Sequence, residues 1–187
     1  MNVAEAATRI GQLLEADGLE YAIGGALALG VWGAPRGTKD VDLSVFATPP
    51  EYGRVADAFE RVGVVFDRIG AERDLGRIGF FRGRLGRIHI DVFMSAHPHF
   101  DSMRARRRRI EAPGGQHLYF ISAEDLCVMK LVYARDKDFA DLERLFAVQP
   151  QLDMAYIRQW VRQLPVGDDA LATLEALDRR FRAPRGS

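Results

Sequence analysis

The chain has 187 residues, enough for one compact domain with a helical annex. It is 48% apolar and 10% aromatic, which excludes a disordered or fibrous polypeptide. Lys+Arg and Asp+Glu balance at 26 each, so the molecule is not a polycation and nucleic-acid binding has to come from a local patch. No apolar run approaches the roughly 20 residues of a membrane span. The single cysteine, Cys127, supplies neither a disulfide framework nor a zinc cluster, which suits a cytoplasmic protein without a membrane partner.

Val3, Ala6, Ile10, Leu13 and Leu14 recur at helical spacing, so residues 3–16 read as an amphipathic helix rather than a signal peptide. Asp17-Gly18 ends it. Tyr21 to Ile23 is a short strand, Gly24-Gly25 a turn, Ala26 to Trp32 a small-residue helix, and Thr38 to Phe46 a strand. A helix is expected from about Glu51 to Val62. Val64 to Ile69, Gly79 to Arg82 and Arg87 to Met94 read as three more strands. His97 to Arg109 reads as a polar, basic crossing, and Ile110 to Ile121 as an extended stretch. Ser122, with Asp125 three residues on, resembles a helix cap. Helices are expected at about 122–134, 137–147, 152–163 and 168–182. The expected architecture is α+β, with a mixed sheet and flanking helices in residues 1–115 followed by a C-terminal helical subdomain in residues 116–187.

The chemistry concentrates on the strand Val41-Asp42-Leu43-Ser44-Val45. Side chains alternate across a strand, so Asp40 and Asp42 share a face, about 7 Å apart at Cα, while Val41, Leu43 and Val45 face the core. Two adjacent carboxylates repel and disfavour each other's ionisation, a penalty that a divalent cation removes. Mg²⁺ favours one or two carboxylates with water and phosphate oxygens, and Mn²⁺ serves in its place. Arg87-Ile88-His89-Ile90-Asp91-Val92 alternates in the same way. If its strand lies beside that of Asp40 and Asp42, Asp91 completes a triad able to hold two cations or to act as base on an attacking hydroxyl. Gly24-Gly25, between a strand and a helix, brings backbone N–H groups toward a phosphate; alone, such a pair is an ordinary tight turn.

Arg outnumbers Lys 23 to three. Lys39, Lys130 and Lys137 all fall in the segments of interest, consistent with a need for compact point charges. Lys130 lies among Leu126, Val128 and Leu131, so it either snorkels to the surface or points into a cleft. Lys137, Asp138 and Asp141 sit at i, i+1 and i+4; they form an exposed ion pair, or Lys137 reads phosphate while a carboxylate holds a ribose hydroxyl or positions Lys130. Arg104 to Arg109 contains five Arg in six residues, either a solvated face or a contact for RNA phosphates.

The order Gly24-Gly25, Asp40-x-Asp42 and Asp91 resembles the nucleotidyltransferase superfamily with the DNA polymerase β-like fold. "GGALALGVWGAPRGTKDVDLSV" and "ISAEDLCVMKLVYARDKDFADLERL" are similar to the two motifs of small bacterial proteins of the AbiEii abortive-infection kind. The matching positions are Gly24, Gly25, Arg36, Thr38, Asp40 and Asp42 in the first, and Lys130, Arg135, Lys137, Asp138, Asp141 and Leu142 in the second. The resemblance covers roughly residues 20–147. It implies transfer of NMP from an NTP such as ATP with Mg²⁺. Asp40, Asp42, Asp91 and Lys130 would be catalytic, and Gly24, Gly25, Arg36, Thr38, Lys39, Lys137, Asp138 and Asp141 would bind nucleotide. The acceptor would be a hydroxyl of tRNA or of a protein, with the chain acting as the toxin part of a toxin–antitoxin pair beside a cognate antitoxin. Ala26 stands where relatives place a hydroxyl residue. Two alternatives remain: a degenerate binding or antitoxin module on the same fold, and a small-molecule (antibiotic) nucleotidyltransferase.

Overall fold

A computed structural model describes residues 1–112, 115–164 and 169–182. The element order is α1 (Val3–Ala16), β1 (Tyr21–Ile23), α2 (Gly25–Val31), β2 (Asp40–Val45), α3 (Tyr52–Val62), α4 (Arg68–Ile78), β3 (Phe80–Leu85), β4 (Ile88–Met94), α5 (His99–Arg106), β5 (Arg108–Glu111), β6 (His117–Phe120), α6 (Ala123–Tyr133), α7 (Asp136–Val148), α8 (Met154–Gln163) and α9 (Asp169–Arg182). The chain divides into two units. The first comprises Met1–Leu27 and Gly37–Ile121; the second comprises Ala28–Arg36 and the chain from Ser122 onward.

The first unit is built on a six-stranded mixed sheet of order β3-β4-β2-β1-β6-β5. β2 runs parallel to β4 and β1 parallel to β6; the pairs β1–β2, β3–β4 and β5–β6 are antiparallel. Val41, Leu43 and Val45 of β2, and Ile88, Ile90, Val92 and Met94 of β4, are buried on one face. α1 packs on α3, β2 and β6. Phe81 of β3 stands edge-on to Tyr52 and Phe59 of α3, with ring centroids 5.9 and 6.1 Å away. The alternation of β2 and β4 thus places these apolar residues in the core and turns Asp40, Asp42, His89 and Asp91 to the opposite face, with Phe93.

α1 begins with Asn2, which accepts a hydrogen bond from the Glu5 N–H while the Glu5 carboxylate reaches back to the Asn2 N–H. This reciprocal cap fixes the start that the sequence pattern suggested. Gly11 is what lets α1 lie close to the sheet. A Cβ there would sit 2.3 Å from the Tyr21 hydroxyl and 2.8 Å from Leu118.

Two segments differ from expectation. Val64 to Ile69 is not a strand: only Val65 bridges, to Arg84, and α4 then starts behind Asp67. The apolar run is misleading because Ile69 is 81% exposed, while the helix buries Ala71 and Leu75 four residues apart and closes on Gly79 at φ 79°. The polar crossing contains α5, anchored by the fully buried Met103. Within the expected Ile110 to Ile121 stretch lie the end of β5 and the whole of β6, which pair antiparallel. Residues 113 and 114, and residue 168 at the expected start of the last helix, lie outside the described residues.

The second unit packs α6 against α7, α8 and α9. Leu126, Leu131, Leu142, Leu145, Phe146, Ile157 and Leu174 supply its apolar interior. Ser122 caps α6 by accepting from the Asp125 N–H at 3.1 Å, and the fully buried Asp125 carboxylate accepts from the Ser122 hydroxyl at 2.6 Å and from the Tyr156 hydroxyl.

Gly11→Ala is expected to destabilise the protein by about 1–3 kcal/mol, since the methyl group forces the Tyr21 ring and Leu118 aside in a packed layer. A lowered urea midpoint with an unchanged slope is the outcome to look for; an unchanged midpoint would show that α1 rides higher on the sheet.

Candidate active site

The glycine pair and the carboxylate strand are built against each other. The Gly24 N–H donates to the Asp42 backbone oxygen at 2.9 Å. Gly25 has φ 55°, and a Cβ there would lie 1.8 Å from Asp42 Oδ2. That left-handed conformation and the overlap both exclude a side chain. The turn therefore presses bare backbone onto the Asp42 carboxylate at the start of α2. Thr38 Oγ1 accepts from the Asp40 N–H at 3.0 Å and shapes the entry to β2, beside the exposed Lys39.

The strand pairings arrange one face of the sheet as three rows across β3, β4 and β2. The first row is Phe80, Phe93 and Ser44; the second is Arg82, Asp91 and Asp42; the third is Arg84, His89 and Asp40. In the first row Phe80 and Phe93 stack with centroids 5.0 Å apart. In the second, Arg82 donates through Nε and Nη2 to the two oxygens of Asp91, each at 2.6 Å. In the third, His89 Nδ1 lies 3.1 Å from Asp40 Oδ1. Asp91 is 7% exposed, whereas Asp40 and Asp42 are half-buried. The hydrogen bond to Asp91 raises the Arg82 guanidinium above its usual range.

The three carboxylates expected from the sequence therefore share a face, with Asp42 directly beside Asp91. Among the described residues, however, no three His, Cys, Asp or Glu side chains form a set that would hold a metal ion. In the second row the Asp91 carboxylate lies in the fork of Arg82. Asp40 and Asp42, two hard oxygen donors two residues apart on β2, fit a divalent cation chemically.

The second unit holds a different cluster. Lys130, 4% exposed, donates to Asp141 Oδ2 at 2.6 Å and to Asp138 Oδ1 at 3.3 Å. Arg36 grips Asp141 through Nε and Nη2 at 2.8–3.0 Å, and Arg135 Nε donates to Asp138 at 2.6 Å. Burial alone would raise both carboxyls. The donors outweigh it, so Asp138 is held below the usual aspartate range by Arg135 and Lys130, and Asp141 by Arg36 and Lys130. Lys137 is exposed in the first turn of α7.

The basic run is broken up by the fold. Arg104, in the last turn of α5, pairs with Glu20, as does Arg107. Arg107 also lies over the Tyr119 ring at 4.8 Å and the Phe46 ring at 5.8 Å. Arg108 and Arg109 are exposed on β5, the edge of the sheet. Sequence reasoning missed Arg82. A signal existed: the two-residue connection Gly86-Arg87 pairs Leu85 with Ile88, and counting outward brings Arg82 to Asp91.

A family model described as a nucleotidyltransferase of unknown function, DUF6036, matches residues 2–170. The chain belongs to this family. No curated protein matches it. Among solved structures, this nucleotidyltransferase is similar to the antibiotic-resistance factor ANT(2'')-Ia, with 14% identity and a TM-score of 0.59 over 96% of this chain and 100% of that one. It is similar to an antigenic nucleotidyltransferase-like protein from Paracoccidioides brasiliensis, with 19% identity and a TM-score of 0.50 over 92% of each chain. It is also similar to the lincosamide antibiotic adenylyltransferase LnuA, with 14% identity and a TM-score of 0.51 over 73% of this chain and 92% of that one. At such identities the likeness is one of fold. The α+β architecture and the assignment as a nucleotidyltransferase stand together on these matches and on the mixed sheet. Among the described residues, no helix is long and apolar enough to cross a membrane.

Lys130→Met is expected to cost about 3–5 kcal/mol, because it leaves Asp138 and Asp141 buried without their shared cation; urea unfolding measures the loss. Both carboxyls are lowered in the folded protein. Their contribution is therefore complete above the usual aspartate range and lost as pH falls through and below it. Urea midpoints taken from about pH 7 down to about pH 2 should fall in that acid limb, and the fall should be smaller in Asp138→Asn.

Proposed function

We propose that the enzyme moves NMP from an NTP such as ATP to a hydroxyl of RNA, with tRNA foremost, or of a protein. The observation that carries this reading is the row arrangement: Asp40 and Asp42 on one face of β2, Asp91 in register with Asp42, and the Gly24-Gly25 turn laid against Asp42. In this reading Asp40 and Asp42 hold a divalent cation, Mg²⁺ or Mn²⁺, and Asp91 is the third carboxylate of the site. When bound, the cation neutralises phosphate charge and favours in-line displacement at the α-phosphorus.

The chain's own groups do the remainder. In this reading the Gly24-Gly25 turn holds its backbone against the Asp42 carboxylate at the start of α2, and phosphate approaches there. Thr38, Lys39 and Arg36 belong to the nucleotide-binding set. Asp91 accepts the proton of the attacking hydroxyl, whose oxygen bonds the α-phosphorus as pyrophosphate leaves. In the helical unit, Lys130 and Lys137 are assigned to phosphate charge, with Asp138 and Asp141 fixing the Lys130 ammonium. An RNA acceptor is favoured by the exposed Arg108 and Arg109 at the sheet edge. The AbiEii-like motifs extend the proposal to a cytoplasmic toxin with a cognate antitoxin.

A second reading takes an antibiotic as the acceptor. It is favoured by the similarity to ANT(2'')-Ia and LnuA, a solved form of the former carrying adenylyl-2''-tobramycin and the solved form of the latter lincomycin.

Purified protein incubated with Mg²⁺, each α-labelled NTP in turn and total bacterial tRNA is expected to label RNA, and Asp40→Ala/Asp42→Ala is expected to fall to background. Label on added protein or on an aminoglycoside or lincosamide instead would reassign the acceptor. Wild-type protein that binds no NTP in the presence of cation would overturn the reading.

A further inference from the structure

Arg82 has no role in the reaction above, yet it makes the closest contact to the proposed base. Its Nε and Nη2 each meet an Asp91 oxygen at 2.6 Å, so neither oxygen is without a guanidinium hydrogen bond. Such a fork is among the stronger pairings available to a carboxylate. The two partners differ in access. Asp91 is 7% exposed in a central strand, whereas the Arg82 side chain is 55% exposed on β3, the edge strand. The anion is fixed inside, and the cation reaches in from outside.

The third member of the row explains why a cation is needed there. Asp42 stands in register beside Asp91 on the neighbouring strand, where strands lie about 4.7–4.9 Å apart. Like charges directly opposite each other destabilise a sheet, and the low exposure of Asp91 raises the cost of an unpaired charge. The guanidinium fills, at Asp91, the electrostatic place of a second cation.

We propose that Arg82 is a positioning residue that competes with the divalent cation for Asp91. Its guanidinium holds the Asp91 carboxylate while no cation is bound, and it gives up at least one oxygen when Asp91 joins Asp42 around a cation. Its place on an exposed edge lets it swing toward solvent without disturbing the core. The cation alone is therefore a weak ligand, and full occupancy waits for the extra oxygens of a triphosphate. This rests on the reading of Asp40, Asp42 and Asp91 as the cation-binding set.

The test is Mn²⁺ binding to the nucleotide-free full chain, followed by electron paramagnetic resonance, so that no turnover is needed. Arg82→Gln is expected to bind Mn²⁺ about tenfold more tightly than wild type, in the range by which groups behind metal ligands tune affinity. Adding Asp91→Asn to that variant should abolish the gain, and Asp42→Asn should weaken binding in either background. Should Arg82→Gln fail to fold because Asp91 is left unpaired, Arg82→Lys keeps a charge but not the fork, and it should still bind Mn²⁺ more tightly than wild type. Unchanged or weaker binding in the Arg82 variant that folds, or a gain that survives Asp91→Asn, overturns the inference. Asp42-dependent binding that ignores Arg82 sinks this inference alone. If no variant binds Mn²⁺ even with a non-hydrolysable NTP, the cation reading itself fails and this inference falls with it.

Discussion

The parallel pairing of β2 with β4 is the constraint on which the first unit depends. Its register sets Asp42 beside Asp91 and Asp40 beside His89, and at the same stroke sends Val41, Leu43, Ile90 and Val92 into the core. Because side chains alternate with a period of two, a slip of one residue would bury the carboxylates and expose the valines. Core burial and site assembly are thus one condition. The apolar side chains between the carboxylates enforce their spacing.

The glycine turn adds a second constraint of another kind. It works by lacking atoms. Gly25 leaves the room that Asp42 Oδ2 occupies, and the Gly24 hydrogen bond ties the end of β1 to β2. In the helical unit the device is the reverse: charge is crowded together. Four cations, Arg36, Lys130, Arg135 and, at 3.9 Å from Asp141, Arg144, surround two buried carboxylates. A buried lysine is tolerable there because its ammonium meets two carboxylates, Asp138 and Asp141.

Much of this could be read in the chain. The alternation in β2 and β4 was visible because apolar and polar residues take turns along each strand, so Asp40, Asp42 and Asp91 stood out among valines, leucines and isoleucines. The amphipathic α1 and the capped α6 carried local signals. The segment after Val64 misled because its isoleucine points outward, and helix α4 owes its place to Ala71, Leu75 and the cap residues rather than to a strong apolar stripe. The Arg36–Asp141 pair spans 105 residues, a separation at which no periodicity speaks. The Arg run read as one patch because sequence adjacency hides direction; Glu20 claims Arg104 and Arg107, while Arg108 and Arg109 fall on an edge. Arg82 was passed over because an arginine on an edge strand looks like ordinary solvation until its partner across the hairpin is counted.

The short Gly86-Arg87 connection has a bearing on how the molecule comes to exist. Arg82 and Asp91 are nine residues apart and meet across a tight hairpin. Asp42 and Asp91 meet only after the chain has run from β2 through α3, α4 and β3. Closing the small loop sacrifices less chain entropy than closing the large one, and non-local parallel pairing is the slower event. The hairpin contact is thus the cheaper of the two to close, and in the sheet Asp42 stands against an ion pair rather than a bare anion. The arginine at the rim shields the two aspartates from each other, so the register that the apolar side chains select does not carry their full repulsion.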